Sequence, residues 1–309
     1  MKNFLNLKDI SLTDLKRILI DAKKRKNLRK KLTSLETDKG APLKGKLLIQ
    51  MFEKSSLRTR LSFYLAIKQL GGSTLTLRPD ELHLSKGGES IQDTAKILSN
   101  FGNAFMLRTD NDEKLEEFKK YLSIPIINGL SPSSHPTQIL SDIFTVEEIK
   151  KKSISSLNIA WIGDSNNVLN SLIAASIKFS FNLRIGCPIK YKPNKNIMQY
   201  IKSNNNKILI LSDPKKAVKD ADVIFSDKVI SMNDKVNKIK KLNQFKRFKI
   251  NKKLMNFAKK DCIFLHCLPR GKEVEEDVFF SKQSKVWQQA LNRVHVQKSI
   301  LLYCFGKLR

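Results

Sequence analysis

Five stretches carry residues able to do chemistry. The first is Phe52-Glu-Lys-Ser-Ser-Leu-Arg-Thr-Arg-Leu-Ser-Phe63, where two arginines and four hydroxyl residues crowd one junction. An apolar run precedes it, and Phe63, Ile67 and Leu70 follow at helical spacing up to Gly71-Gly72. Free N–H groups at such a helix start favour an anion. Ser56, Arg58 and Thr59 would add hydroxyl donors and a guanidinium, which makes a phosphate cradle without the Gly-rich, Lys-containing P-loop. The second stretch is His135-Pro-Thr-Gln-Ile-Leu-Ser-Asp142. Pro136 suits a first helical position, so His135, Gln138 and Asp142 share one face. His135 and Gln138 can donate to a carbonyl oxygen gaining charge, and Asp142 can hold a neighbour in place. A capping histidine beside two solvated side chains is the equal alternative.

The third stretch, Trp161-Ile-Gly-Asp-Ser-Asn-Asn167, is a strand-to-helix turn lacking two glycines of the dinucleotide fingerprint. Asn167 could hold a polar substrate there. The fourth begins at Asp227, a carboxylate after an apolar strand that suits an ammonium partner. For both, an ordinary cap or turn stays open. The fifth is His266-Cys-Leu-Pro269. Neighbouring strand residues face opposite ways, so His266 is badly placed to activate Cys267. Cys267 therefore reads as a ligand contact and not a nucleophile.

The elements that must position these residues follow from periodicity. A basic amphipathic helix is expected over 10–32. Strands are expected at 46–52, 73–78, 103–108 and 124–128, with helices at 57–70, 90–101, 112–122 and 136–151. After a polar break near 150–156, a second series has strands at 157–163, 182–187, 207–211, 222–226 and 262–267. Its helices are expected at 166–179, 195–202, 214–219 and 251–259, and a long last one at 284–304. This alternation predicts an α/β protein built from two doubly wound parallel-sheet domains linked by helices. Ligands of such sheets bind beyond the carboxyl ends of strands, where the polar residues named above fall.

The totals bound the rest. The chain has 309 residues, enough for two domains, and 41% are hydrophobic. No run of 18 apolar residues occurs, and no signal-peptide core precedes the first helix, so a cytoplasmic protein without a membrane partner is expected. Four cysteines without CxxC spacing suit reduced thiols, not a zinc site. The net charge is +29. Counterion release could bring nucleic acid to such a chain. Yet the basic runs at 23–31 and 235–241 are interrupted at helical spacing and read as solvated helix faces, and nucleic acid is not an expected partner. The positive field would draw small anions.

Taken together, the motifs resemble the aspartate/ornithine carbamoyltransferase family, from about residue 3 to 304. The carriers are Ser56-Leu-Arg-Thr-Arg60, Glu89-Ser-Ile-Gln-Asp-Thr-Ala95, Leu107-Arg-Thr109, His135-Pro-Thr-Gln138, Gly163-Asp-Ser-Asn-Asn167, Asp227 with Ser231-Met232, His266-Cys-Leu-Pro269 and Asn292-Arg293. The resemblance implies transfer of a carbamoyl group from carbamoyl phosphate to L-ornithine in arginine biosynthesis, with no metal and no cofactor. It implies a carbamoyl phosphate domain over 1–135 plus 284–309, an ornithine domain over 150–283, and an active site in the interdomain cleft. Ser56, Leu57, Arg58, Thr59 and Arg108 would grip the phosphate. His135, Gln138, Arg293, Cys267 and Leu268 would contact the carbamoyl group. Asn167, Asp227, Ser231 and Met232 would hold ornithine. His83 resembles a residue that reaches a neighbouring subunit's site in the family's trimers, so a homotrimer or a multiple of it is expected.

The chain departs from the family pattern at a few places. Leu57 stands where threonine is most common and resembles relatives acting on acylated ornithine. Lys228 replaces a tryptophan, Asn233 a glycine and Leu291 a glutamate. Two alternatives follow: a carbamoyltransferase for another amine, such as acylated ornithine or putrescine, and a non-catalytic nucleic-acid-binding protein on the same scaffold.

Overall fold

In a computed structural model, residues 2–78, 88–204, 207–230 and 237–308 are described. Two compact units emerge, Met1–Phe144 with Leu291–Arg309, and Thr145–Ala290.

The first unit opens with helix α1 (Leu12–Leu28), capped by the Ser11 hydroxyl, which accepts from the Asp14 N–H. Strand β1 (Leu47–Phe52) leads to α2 (Leu57–Gln69), β2 (Ser73–Leu77) to α3 (Ile91–Phe101), β3 (Ala104–Arg108) to α4 (Asp112–Tyr121), and β4 (Ile126–Leu130) to α5 (Pro136–Lys150). The sheet is parallel, in the order β2-β1-β3-β4. Its strands are apolar because helices cover both faces. Ile49, Met51, Phe105 and Leu107 pack with Leu98 of α3 and Phe118 of α4. Each such side chain contributes about 1.5–3 kcal/mol by leaving water.

The second unit holds β5 (Asn158–Ile162), α6 (Asn167–Phe179), β6 (Asn182–Gly186), α7 (Lys195–Asn204), β7 (Ile208–Leu211), α8 (Pro214–Val218) and β8 (Val223–Ser226). Then come α9 (Lys238–Phe245), α10 (Lys252–Met255), β9 (Ile263–His266) and α11 (Glu276–Phe279); the long α12 (Val286–Cys304) begins here and passes into the first unit from Leu291. The parallel sheet of the second unit runs β7-β6-β5-β8-β9.

Both sheets reverse direction beside their first strand. The chain winds outward from β1 to β2, then restarts at β3 on the other flank; it winds from β5 to β7, then restarts at β8. The polar motifs lie just past β1 and β3, and just past β5 and β8. Those are the switch points where open α/β sheets bind ligands.

Three expectations change. The helix expected at 251–259 is the single turn Lys252–Met255, because the Lys259 N–H turns to the Ala221 carbonyl at 3.1 Å and Phe257 O accepts from Asp220 N at 3.0 Å. The first helix ends at Leu28, since Arg29 turns inward onto Asp38 (2.6 Å) and the Thr33 and Glu36 carbonyls. The basic runs are only partly solvated faces. Arg25 and Arg29 pair with buried carboxylates, and Lys241 is buried against Asp164 at 2.6 Å.

Candidate active site

In the first unit, α2 starts where β1 ends. Ser56 takes extended backbone angles at the N-cap, and its side chain makes no capping hydrogen bond. The first N–H groups of α2 therefore keep their donor capacity. Leu57 is exposed at the helix mouth, whereas Thr59, two residues on, is buried. The preceding Glu53 is fixed by its N–H to the Arg108 carbonyl (2.9 Å), by the Thr109 hydroxyl and by Lys114. This ties the end of β1 to the end of β3, where Arg108 sits after a register shift against β4.

His135 comes to the same place from β4. Asn128 Nδ2 donates to Ser134 Oγ (3.0 Å), Ser131 Oγ (3.3 Å) and the Leu5 carbonyl (3.1 Å), which staples the loop before α5. His135 then ends the loop, fully inside the protein, and Pro136 begins the helix. One turn on, Gln138 Nε2 donates to Asp142 Oδ1 at 2.7 Å. The expected pairing of these two along one helix face is present. Gln138 Oε1 accepts from Arg293 Nη1 at 2.9 Å, and Arg293 Nη2 donates to Thr59 Oγ1 at 2.7 Å. A guanidinium can only donate, so this contact fixes which way the Gln138 amide points. The network Asp142–Gln138–Arg293–Thr59 joins α5, α12 and α2, with every member buried.

The electrostatics are lopsided. Burial, then Arg293, Arg108 and Arg58 in turn, hold the His135 imidazole well below its ordinary value, so it is neutral at pH 7. Burial and the nearby Arg58 pull Arg108 down to about 10, and it remains a cation at pH 7. Its Nε is buried without a hydrogen-bond partner among the described residues. Three guanidiniums thus surround one neutral imidazole, an arrangement that favours an incoming anion.

In the second unit, Gly163 takes φ +151° at the end of β5, a conformation that side chains disfavour. Asn166 caps α6, accepting from Val168 N (3.0 Å) and Leu169 N (3.1 Å), and its Nδ2 donates to Asp227 Oδ2 at 2.7 Å. Asn167 is the first helical residue. Asp227 follows β8, and burial raises its carboxyl above the ordinary range. His266, the Lys228 N–H and Asn166 draw it back down, and Glu273 pushes it up. His266 is buried, and its Nε2 lies 3.0 Å from Glu273 Oε1. Burial would raise Glu273, but His266 and the Gly271 N–H hold it low. Cys267 donates its N–H to the Ser226 carbonyl at 3.4 Å, and Leu268–Pro269 is a cis bond. With His266 paired to Glu273, the reading of Cys267 as something other than an activated nucleophile is consistent with the geometry.

The first unit therefore gathers Ser56, Leu57, Arg58, Thr59, Arg108, His135, Gln138 and Arg293. The second places Asn167 at the start of α6, and Asp227, Cys267 and Leu268 on the loops after β8 and β9. His83, Ser231, Met232 and Asn233 lie outside the described residues. Two polar partners are absent from the sequence reading. Asn166 donates to Asp227, and the strong preference for asparagine at an N-cap could have marked it as the capping residue. Glu273 sits in a loop with no periodic signal, and only the tertiary fold brings it to His266.

Comparison with known proteins gives two family matches that together span most of the chain. Residues 2–148 match the family model of the aspartate/ornithine carbamoyltransferase carbamoyl-P binding domain, and 155–304 match that of the Asp/Orn binding domain. The ornithine carbamoyltransferase of Rhizorhabdus wittichii is 40% identical over 309 residues, covering 99% of both chains. That of Agrobacterium fabrum is 40% identical over 307 residues, 99% of this chain and 98% of its own. The solved ornithine carbamoyltransferase of Pyrococcus furiosus superposes with a TM-score of 0.90 at 39% identity, covering 97% of this chain and 96% of its own. The solved anabolic ornithine carbamoyltransferase of Campylobacter jejuni gives 0.88 at 37% identity, covering 99% and 100%. With its motifs in order on two switch-point sheets and both family models matched, the chain belongs to the aspartate/ornithine carbamoyltransferase family.

Proposed function

We propose that the protein transfers the carbamoyl group of carbamoyl phosphate to the δ-amine of L-ornithine, giving L-citrulline and phosphate in arginine biosynthesis. The observation that carries this reading is the trio Arg58, Arg108 and Arg293 around a buried, neutral His135. Such a cluster suits a phosphorylated substrate whose carbonyl must gain negative charge.

Carbamoyl phosphate binds first. The N–H groups and hydroxyls of Ser56–Thr59 hold its phosphate, with Arg58 and Arg108 supplying charge. Thr59 accepts from Arg293 and still has its own proton to donate. His135 donates to the carbamoyl oxygen, and the fixed amide of Gln138, Arg293 and the Cys267–Leu268 backbone orient the group. Asn167, Asp227, Ser231 and Met232 hold ornithine, and Asn166 fixes the Asp227 carboxylate. The uncharged δ-amine attacks the carbonyl carbon. A C–N bond forms, oxyanion charge develops, the C–O bond to phosphate breaks, and the amine proton leaves with phosphate or to solvent. Holding two reactants aligned supplies most of the acceleration. Activity rises with pH as the bound amine loses its proton.

The same proposal includes a homotrimer, or a multiple of it, in the cytoplasm. Leu57, Leu61 and Tyr64 stand 68%, 51% and 39% exposed along α2, an apolar stripe that supports self-association. Among the described residues, no helix is long and apolar enough to cross a membrane. The test is a colorimetric citrulline assay with ornithine, acetylornithine and putrescine in parallel. Citrulline from ornithine at the highest kcat/KM is expected; preference for either other amine overturns the reading.

A further inference from the structure

A second cationic site lies in the second unit, on residues that the transfer chemistry does not use. A groove of about 450 Å³ is lined by Lys215, Lys246, Arg247, Lys249, Lys253 and Phe257, with Asp213 as its one carboxylate. The volume is within the range of small-molecule sites, roughly 300–1,000 Å³.

An ordinary basic helix face spreads its lysines into solvent. Here they converge from three separate segments: α8, the turn Lys246–Phe248 with Lys249, and α10. Neighbouring lysines find acids: Lys252 pairs with Asp277 at 3.3 Å, and Lys259 with Asp222 at 2.8 Å. Among the described residues, Lys249 is the groove cation that does so, with Glu275 at 3.3 Å. Lys246, Arg247 and Lys253 have no ion pair among the described residues. Asp213 is occupied in capping α8, accepting from the Lys215 N–H at 2.9 Å. Phe257 is partly exposed at the edge, with Lys215 Nζ 5.3 Å from its ring centre. Near pH 7 a single phosphate carries no more than about two charges and would leave most of these cations unmatched. A chain of phosphates matches both the number of cations and their spread along a groove.

We propose that this groove binds a linear polyphosphate anion, either free or as the phosphate chain of a nucleoside triphosphate. The two sources share the phosphate contacts and differ at Phe257, whose ring face could take a base.

The test is isothermal titration calorimetry of the full chain with inorganic triphosphate, with ATP and with a single-stranded oligonucleotide. Three proteins are compared: wild type, Arg247→Glu/Lys253→Glu, and Arg58→Ala, which disables the first-unit anion site. Thermal melts serve as the fold control. Binding at one site per chain is expected, retained in Arg58→Ala and weakened about ten-fold or more in the double variant, the equivalent of one charge-assisted hydrogen bond. The gentler Arg247→Gln/Lys253→Gln serves if the charge reversal melts early. Phe257→Ala weakening ATP alone identifies a nucleotide; equal binding of triphosphate and ATP identifies free polyphosphate. Binding lost in Arg58→Ala but kept in the double variant places the anion in the first unit and overturns the proposal. So does binding of single-stranded oligonucleotide without triphosphate binding, or no binding at all.

Discussion

Removing the Arg58 guanidinium should lower turnover by about 100- to 1,000-fold, the usual loss of one preorganised donor to charge developing in the transition state, here on the departing phosphate, with the melting temperature nearly unchanged. Steady-state kinetics and a thermal melt on Arg58→Ala check both halves. Asp227→Asn is predicted to do two opposed things. It should raise the KM for ornithine about ten-fold or more while leaving that for carbamoyl phosphate nearly unchanged, because an ammonium loses its countercharge. It should also stabilise the unliganded fold at pH 7. The sign follows from the raised carboxyl of Asp227. Its folded-state contribution is favourable below its unfolded value and is lost as pH rises through the folded one, so at pH 7 the ion is held at a cost. The gain should shift Tm by about 2–4 °C for each kcal/mol relieved, and should vanish near pH 4. The residues of both sites were partly legible in order of locality. Ser56, Arg58 and Thr59, and His135, Gln138 and Asp142, reveal themselves by spacing within one turn. Arg108 and Arg293 have no local pattern and enter only through family resemblance. Asn166 holds Asp227 across 61 residues and Glu273 is joined to His266 by folding alone, so neither pairing has a local signal.

Elements were more legible than partners, since strands of a parallel sheet are buried on both faces and stand out as apolar runs. Their carboxyl ends were equally clear, because polar residues begin where the sheet stops. What escaped were segments whose length is decided by distant hydrogen bonds, such as the turn at Lys252–Met255 and the early stop of α1 at Leu28. Gly163 offers a test at this scale. A Cβ there would meet nothing closer than Ser226 Oγ at 3.6 Å, so space is available and only the φ of +151° resists. Gly163→Ala should therefore cost about 1–3 kcal/mol of backbone strain, measured by urea unfolding. The contact between α1 and α12 supplies another. Asp38 accepts from Arg29 at 2.6 Å and from Lys298 at 2.9 Å, and burial pulls Lys298 down to about 8 despite that carboxylate. Asp38→Asn strands two buried cations and should cost about 3–5 kcal/mol, read from the same denaturant curves.

Across the whole molecule the charge of +29 has several distinct local uses. Arginines are gathered around His135, Arg25 and Arg29 are turned inward onto acids, and lysines converge at a groove in the second unit. Composition alone cannot distinguish these from solvated faces, because burial is set by the fold. Assembly is testable at the same scale. Leu61→Glu puts a charge in the exposed stripe of α2 and should convert the proposed trimer to monomers in light scattering, with activity falling alongside.

Thr59 and Arg293 are 234 residues apart in sequence, yet they share one hydrogen bond. During translation the early half of the protein can build its sheet long before the final helix leaves the ribosome. Until that helix docks, the cluster lacks one guanidinium and the Gln138 amide lacks its anchor. A chain that stops before that helix therefore carries the loop and helix start of the cluster but lacks the clamp that joins Thr59 to Gln138.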